Sequence, residues 1–275
     1  MDAPLSPGLY IVATPIGNLG DITLRAIATL RGVAAVACED TRVTGKLLHH
    51  LEIKQKLIRY DDHASEATRD HILALASEQP VALVSDAGTP LISDPGFKLV
   101  RAARERGIAV SSLPGPSAAI MALTLAGLPS DRFLFAGFLP NKDKARRDAL
   151  RGLATVDATL VFYETAPRLT DALTAIGEEL PGREVAVARE LTKRFEECRT
   201  GSADELIVHY QAYPPKGEIA LVIAPPGEAA AVEHDVDALL RAALATDKAS
   251  QAAAAVAKAT GLDRKALYAW AMELK

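Results

Sequence analysis

The chain reads as an α/β protein, with two α/β domains followed by a small helical C-terminal segment. Three observations carry that reading. Short apolar, β-rich runs alternate with helical patterns as far as residue 113, as in a mostly parallel sheet covered by helices. Pro114-Gly115-Pro116 then interrupts the alternation, and a second set of strand and helix patterns follows it. Finally, Pro225-Pro226-Gly227 and an acidic, Ala-rich stretch read as a linker to a helical tail over about 235–275. The expected units are therefore 1–113, 114–226 and 227–275.

In the first unit, strands are expected over 9–13, 34–38, 56–60, 81–84 and 108–112, with helices over 23–30, 41–50, 65–78 and 94–106. Leu24, Ile27 and Leu30 recur at near-helical spacing, and Thr23 before them suits an N-cap. The run 81–84 has no polar break, which suits a strand buried on both faces. Ser117 suits the cap of a helix over 118–125. The second unit places strands over 133–135, 159–163, 184–188, 195–200 and 218–224. Its helices are expected over 145–153, 168–179 and 203–210, and the tail helices include 252–255 and 267–270.

Composition narrows the function classes. A length of 275 residues with 49% hydrophobic content fills two ordinary cores. The net charge of −4 gives no global positive field, so any nucleic-acid partner needs a local basic patch. Cys38 and Cys198 are the two cysteines, far apart, which speaks for a reducing cytosol and against a disulfide scaffold. The start MDAPLSPG does not read as a signal peptide, and no apolar stretch approaches the ~20 residues of a membrane span. The expectation is a soluble cytoplasmic protein. No G-x-G-x-x-G follows a strand, Asp40 stands where a P-loop ending at Gly45-Lys46 needs glycine, and neither G-x-S-x-G nor H-E-x-x-H occurs. His49 and His50, adjacent on one expected helix, point apart, so no metal site is expected.

Several loops are site candidates. Residues 81–96, VALVSDAGTPLISDPG, run from a buried strand into Asp86, Gly88, Pro90, Asp94, Pro95 and Gly96. Ligands of open α/β sheets sit outside the carboxyl ends of strands, although such a loop also suits an ordinary connection. Thr14-Pro15-Ile16-Gly17-Asn18 follows the first strand and would share that sheet edge. Glu39-Asp40-Thr41-Arg42 reads either as a helix cap or as catalytic or RNA-contacting groups. Two basic runs, Arg189–Arg194 and Lys142–Arg147, suit phosphates or solvated faces.

Taken in order, seven motifs resemble one family. LYIVATPIGNLGDITLRA (9–26), ACEDTR (37–42), VSDAGTPLISDPG (84–96), LPGPSA (113–118), FYE (162–164), ARELTK (188–193) and KGE (216–218) are similar to those of the tetrapyrrole methylase superfamily. Within it they resemble the bacterial branch that methylates ribose 2′-hydroxyls of small-subunit (16S) ribosomal RNA. The likeness spans roughly 8–224, with a weaker echo at ALYAWA (266–271). It implies an S-adenosylmethionine-dependent methyltransferase, homodimeric, with the cofactor in a cleft between two α/β domains. The implied substrate is a decoding-region cytidine, in rRNA or within the 30S subunit. The implied cofactor contacts are Pro15, Asp86, Gly88, Thr89, Pro90, Ser117, Ala118, Tyr163, Leu191 and Gly217. Relatives commonly carry serine-proline-histidine-arginine after FYE. Here Thr165-Ala166-Pro167-Arg168 stands instead, so no histidine role carries over and Arg168 survives.

For such a transfer, Asp40 or Glu39 would accept the hydroxyl proton, and Lys193 or Arg42 would stabilise the developing oxyanion. RNA contacts would come from Lys142, Lys144, Arg146, Arg147 and Arg194, with Lys193 beside them. The rivals are a corrin-precursor or diphthine-type methyltransferase, and a noncatalytic RNA-binding protein using its Ala-rich tail.

Overall fold

A computed structural model describes residues 4–227, 236–245, 247–260 and 264–274. Residues up to Pro226 make one compact unit and the tail another. The acidic linker expected after Gly227 lies largely over 228–235, outside the described residues.

The first sheet has five parallel strands in the order β3-β2-β4-β1-β5. They are β1 (Gly8–Val12), β2 (Ala35–Cys38), β3 (Lys56–Arg59), β4 (Pro80–Val84) and β5 (Val110–Leu113). Helices α1 (Leu24–Gly32), α2 (Thr41–His50), α3 (Glu66–Glu78) and α4 (Phe97–Glu105) cross between them. Alternate residues of each strand serve opposite cores. Val36, Ala82 and Val84 meet Ala26, Leu30 and Leu48 on one face, while Ala37, Val81 and Leu83 meet Ile72, Leu73, Leu99 and Ala103 on the other. Burial on both faces explains the unbroken apolar runs. Thr23 Oγ1 caps α1 by accepting from Ala26 N at 3.0 Å, and Ser65 Oγ caps α3 from Thr68 N at 3.1 Å. Neighbouring strands β1 and β4 send their crossovers to opposite sides, so the strand order reverses between them. A crevice at such a switch point is where open α/β sheets bind ligands.

After α5 (Ala118–Leu125) comes a second sheet, ordered β6-β7-β10-β8-β9. Its strands are β6 (Phe133–Phe138), β7 (Thr159–Thr165), β8 (Val185–Arg189), β9 (Glu197–Gly201) and β10 (Glu218–Ile223). Only β6 and β7 are parallel; the other pairings are antiparallel. Helices α6 (Asp143–Gly152), α7 (Leu169–Glu179) and α8 (Ala203–Ala212) cover one face, through Leu150, Leu173, Ile176, Leu206 and Tyr210. The other face packs Val161, Ala186, Ala188 and Val222 against Ala119, Ala122 and Leu123 of α5. Ile16, from the loop after β1, joins this same cluster and ties the first sheet to the second.

The tail comprises α9 (Val236–Leu244), α10 (Ala249–Thr260) and α11 (Arg264–Glu273) around Leu240, Ala253, Val256, Leu267 and Ala271. Several expected boundaries moved, and two of the shifts bear on the site. The strand expected over 195–200 begins at Glu197, leaving Phe195 in the loop. The helix expected over 94–106 begins at Phe97, because Gly96, at φ +136°, is the N-cap and leaves Asp94 and Pro95 outside.

Candidate functional site

The carboxyl ends of β1, β4 and β5 are cross-tied. Thr14 N donates to Gly88 O at 2.9 Å and Gly88 N to Thr14 O at 3.0 Å, a single β-bridge between the two loops. Thr14 Oγ1 donates to Ser85 O at 3.1 Å, Ser85 Oγ to Gly88 O at 3.1 Å, and Thr89 Oγ1 to Pro116 O at 2.9 Å. The small polar residues of SDAGTP thus hydrogen-bond the loop's own backbone and fix its shape. Gly88, at φ +85°, allows the turn, and a Cβ there would stand 3.2 Å from Ile16 Cγ2.

Between these loops and the second sheet lies a cavity of about 430 Å³. Asp86, Gly88 and Thr89 line it from the first sheet, Ser117 and Ala118 from the start of α5, and Tyr163 and Leu191 from the second sheet. Pro15, Pro90 and Gly217 do not line it, although Ile16, Thr89 and Glu218 beside them do. Gly217 has a packing role: at φ +84° it makes room for the Glu190 carboxylate, onto which a Cβ would fall. The Tyr163 hydroxyl accepts from Ala119 N at 3.2 Å, and Phe135 and Phe138 meet its ring edge-on at 4.9 and 5.6 Å.

The residues read as catalytic separate in space. Glu39 lines the cavity, and burial, followed by the charge of Asp86, pushes its carboxyl above the ordinary range. Asp40 does not line it. Its carboxylate caps α2 from Arg42 N at 2.8 Å and grips the Arg42 guanidinium at 2.6 Å, which holds it well below the usual carboxylate range. A proton acceptor so committed to a guanidinium is a weak base, and Arg42 is occupied by the same pair. Lys193 also stands off the wall, paired with Glu190 at 2.9 Å and Glu218 at 3.3 Å. Burial works to lower its ammonium, but the two carboxylates outweigh it and the net shift is upward.

The structure corrects the basic run at 142–147. Arg146 is 3% exposed, its guanidinium bonded to Asp143 at 3.1 Å and lying 3.9 Å from Asp171. Arg147 is gripped by Asp143, Glu178 and Glu179. Both arginines face the acidic side of α7, a cross-helix neighbour that local sequence does not reveal, and neither is free for RNA. Lys142, Lys144 and Arg194 are exposed and carry no ion pair among the described residues.

Sequence reasoning placed Asp94 in a candidate loop without giving it a role, and missed Phe138 and Glu218 on the cavity wall. Burial, then the neighbouring Glu39, push the Asp94 carboxyl up to about 6. Assigning it also to a helix start hid its role. The positive-φ Gly96 was the available signal, since a glycine after Asp-Pro suits a turn that delays the helix.

Comparison with known proteins gives this architecture its relatives. The model of the tetrapyrrole (corrin/porphyrin) methylases matches residues 8–207, and that of the RsmI C-terminal HTH domain matches 230–275. A protein from Erythrobacter litoralis named ribosomal RNA small subunit methyltransferase I is 67% identical over 272 residues, covering 99% of this chain and 97% of the relative. A namesake from Mesorhizobium japonicum is 52% identical over 275 residues, covering 99% and 94%. Among solved structures, diphthine synthase superposes with a TM-score of 0.61 at 14% identity, over 78% of this chain and 89% of that one. Uroporphyrin-III-C-methyltransferase from Thermus thermophilus gives 0.55 at 23% identity, over 79% and 94%. These two likenesses establish the fold alone. With the family model matching residues 8–207 and whole-length relatives above half identity, the chain belongs to the tetrapyrrole methylases, a family of S-adenosylmethionine-dependent methyltransferases.

Proposed function

We propose that the chain transfers the methyl group of S-adenosylmethionine to the ribose 2′-hydroxyl of a cytidine in small-subunit ribosomal RNA. The observation carrying this reading is the 67% identity, over 99% of the chain, to a relative named for that RNA. The cavity suits the methyl donor. Its volume of about 430 Å³ falls in the range of small-molecule sites. Ser117 and Ala118 put the positive end of α5 at the cavity edge, with no side-chain cap from Ser117 and with Ala119 N bonded to the Tyr163 hydroxyl, and such a helix start favours a carboxylate. Glu39, Asp86 and Asp94 supply negative charge against a sulfonium.

When bound, S-adenosylmethionine supplies an electrophilic methyl on a good leaving group. The residues of the chain then mainly orient the hydroxyl and exclude water; orientation alone is worth several kcal/mol. Glu39, on the wall and raised above the usual carboxylate range, takes the 2′-hydroxyl proton in place of Asp40, with Asp94 as its neighbour. Lys193 remains an ammonium one ion pair behind Glu218, placed to offset oxyanion charge. The chain acts as a cytoplasmic homodimer on the assembled 30S subunit. Exposed Phe133, Leu134 and Phe138 on edge strand β6 support the dimer, since a bare apolar edge invites a partner.

The test offers purified chain and methyl-labelled S-adenosylmethionine to 30S subunits lacking the modification and, separately, to uroporphyrinogen. Label confined to one 2′-O-methylcytidine of the subunit is expected. Label in the tetrapyrrole, or in neither substrate, refutes the assignment.

A further inference from the structure

The loop over 190–196, between β8 and β9, carries Leu191 onto the cavity wall. It is tightly held. Lys193 N donates to Glu190 O at 3.0 Å, Glu196 N to Lys193 O at 3.2 Å, and Thr192 N to the Glu196 carboxylate at 2.7 Å. The Lys193 stem lies so close to Gly17 that a Cβ there would stand 2.7 Å from it. On this fixed loop Phe195 is 66% exposed. The guanidinium carbon of Arg194 sits 5.6 Å from its ring centre.

An exposed phenylalanine forgoes burial, and here nothing in the local fold explains it, because β9 starts two residues later. Arg194 is unlike its neighbours. Arg189 pairs with Glu197 at 2.6 Å and Arg199 with Glu197 at 3.5 Å, whereas Arg194 has no carboxylate partner among the described residues. The loop thus presents an aromatic face and an uncompensated cation together, three and four residues beyond the cavity-lining Leu191. Unpaired bases stack on aromatic rings and guanidinium planes, and phosphates seek the cation. Four residues from Leu191 to Phe195 span at most about 14 Å, so a base on the ring belongs to a neighbour of the nucleotide in the cavity.

We propose that Arg194 and Phe195 form a stacking platform for an unpaired nucleobase of single-stranded RNA flanking the methylated nucleotide. The platform rests on the RNA reading above. The free charge of Arg194 favours RNA over a second copy of the chain, for which β6 offers a separate apolar edge.

The experiment titrates the full-length chain with a short single-stranded RNA containing 2-aminopurine, whose fluorescence falls on stacking. Phe195→Ala should weaken binding about 5- to 150-fold and remove the quenching, while Phe195→Trp retains both. Arg194→Ala should weaken binding and lower the salt slope by about one. S-adenosylmethionine affinity, by calorimetry, should stay unchanged in all three. Unchanged affinity and quenching in Phe195→Ala overturns the platform. So does a lowered oligomeric mass of Phe195→Ala in sedimentation with RNA binding intact, which hands the ring to a second copy. Phe195-dependent quenching in a chain that leaves 30S subunits unlabelled supports the platform and defeats the substrate assignment alone.

Discussion

Replacing Ile16 by alanine tests whether the two sheets are held together as one site. Ile16 emerges from the loop after β1, yet it is 8% exposed and packed among Ala119, Leu123, Ala188 and Leu191 of the second half. The substitution removes three carbons, and at about 0.8 kcal/mol each the transfer loss alone is about 2.4 kcal/mol. The vacated space adds to that, within the range of about 2–5 kcal/mol for such truncations. Collapse is resisted because the Thr14–Gly88 bridge fixes the loop at 2.9 and 3.0 Å. A loss near 3 kcal/mol shifts the folding equilibrium more than a hundredfold and lowers Tm by about 6–12 °C. Since Ile16 also lines the cavity, donor affinity should fall several-fold alongside. Urea unfolding of the full chain measures the first effect and calorimetry with S-adenosylmethionine the second. A loss under about 1 kcal/mol with unaltered donor affinity would falsify the claim that this side chain couples the halves.

Other perturbations follow from the same geometry. Asp94, raised from an ordinary 3.8 to about 6, holds its proton more tightly folded than unfolded. Its contribution to stability is therefore complete below about pH 3.8 and lost as pH rises through 6. Asp94→Asn should accordingly gain about 1–2 kcal/mol at pH 8, after allowance for solvent screening, and little at pH 4. Equal urea midpoints for variant and wild type at pH 8 would contradict this. Asp40→Ala should lower stability through loss of the α2 cap while the methyl-transfer rate stays within about tenfold; a thousandfold drop in single-turnover rate would restore Asp40 as the base. Arg146→Gln should cost about 1.5–3 kcal/mol of stability with RNA affinity intact. Lys142→Glu with Lys144→Glu should do the reverse, flattening the salt dependence of RNA binding in filter assays.

Much of the first sheet was legible in sequence because burial on both faces imposes unbroken apolar runs such as 81–84, and because Thr23 caps its helix as its chemistry suggests. The cleft was legible wherever a motif's side chains tie loops together, as Thr89 does to Pro116. Legibility failed where the answer lay across the fold. Arg146 and Arg147 form a basic run on paper, and only the packing of α6 on α7 brings Asp171, Glu178 and Glu179 to them. Asp40 and Arg42, two residues apart, neutralise each other, which the string EDTR allows but does not require. Asp94 was named in the candidate loop but given no role, because one glycine φ decides whether Asp94-Pro95 begins the helix or the loop.

Backbone strain points the same way as these side chains. Among the described residues, the non-glycine positions at positive φ are Glu52, Leu91, Ser93, Glu190 and Thr192. All but Glu52 fall in the two loops that face each other across the cavity, after β4 and after β8. Such conformations cost of order 1–3 kcal/mol each and persist only where surrounding contacts over-determine them. Here the determinants are visible: the Thr14–Gly88 bridge and Thr89–Pro116 bond hold one loop, and the Glu190–Lys193 and Thr192–Glu196 bonds hold the other. A turn used merely to connect elements would relax by replacing Leu91 or Thr192 with glycine at no loss of function. Because β-branched Thr192 keeps its left-handed conformation against Gly17, the loop is held for the position it gives Leu191 on the wall, with Phe195 exposed four residues on.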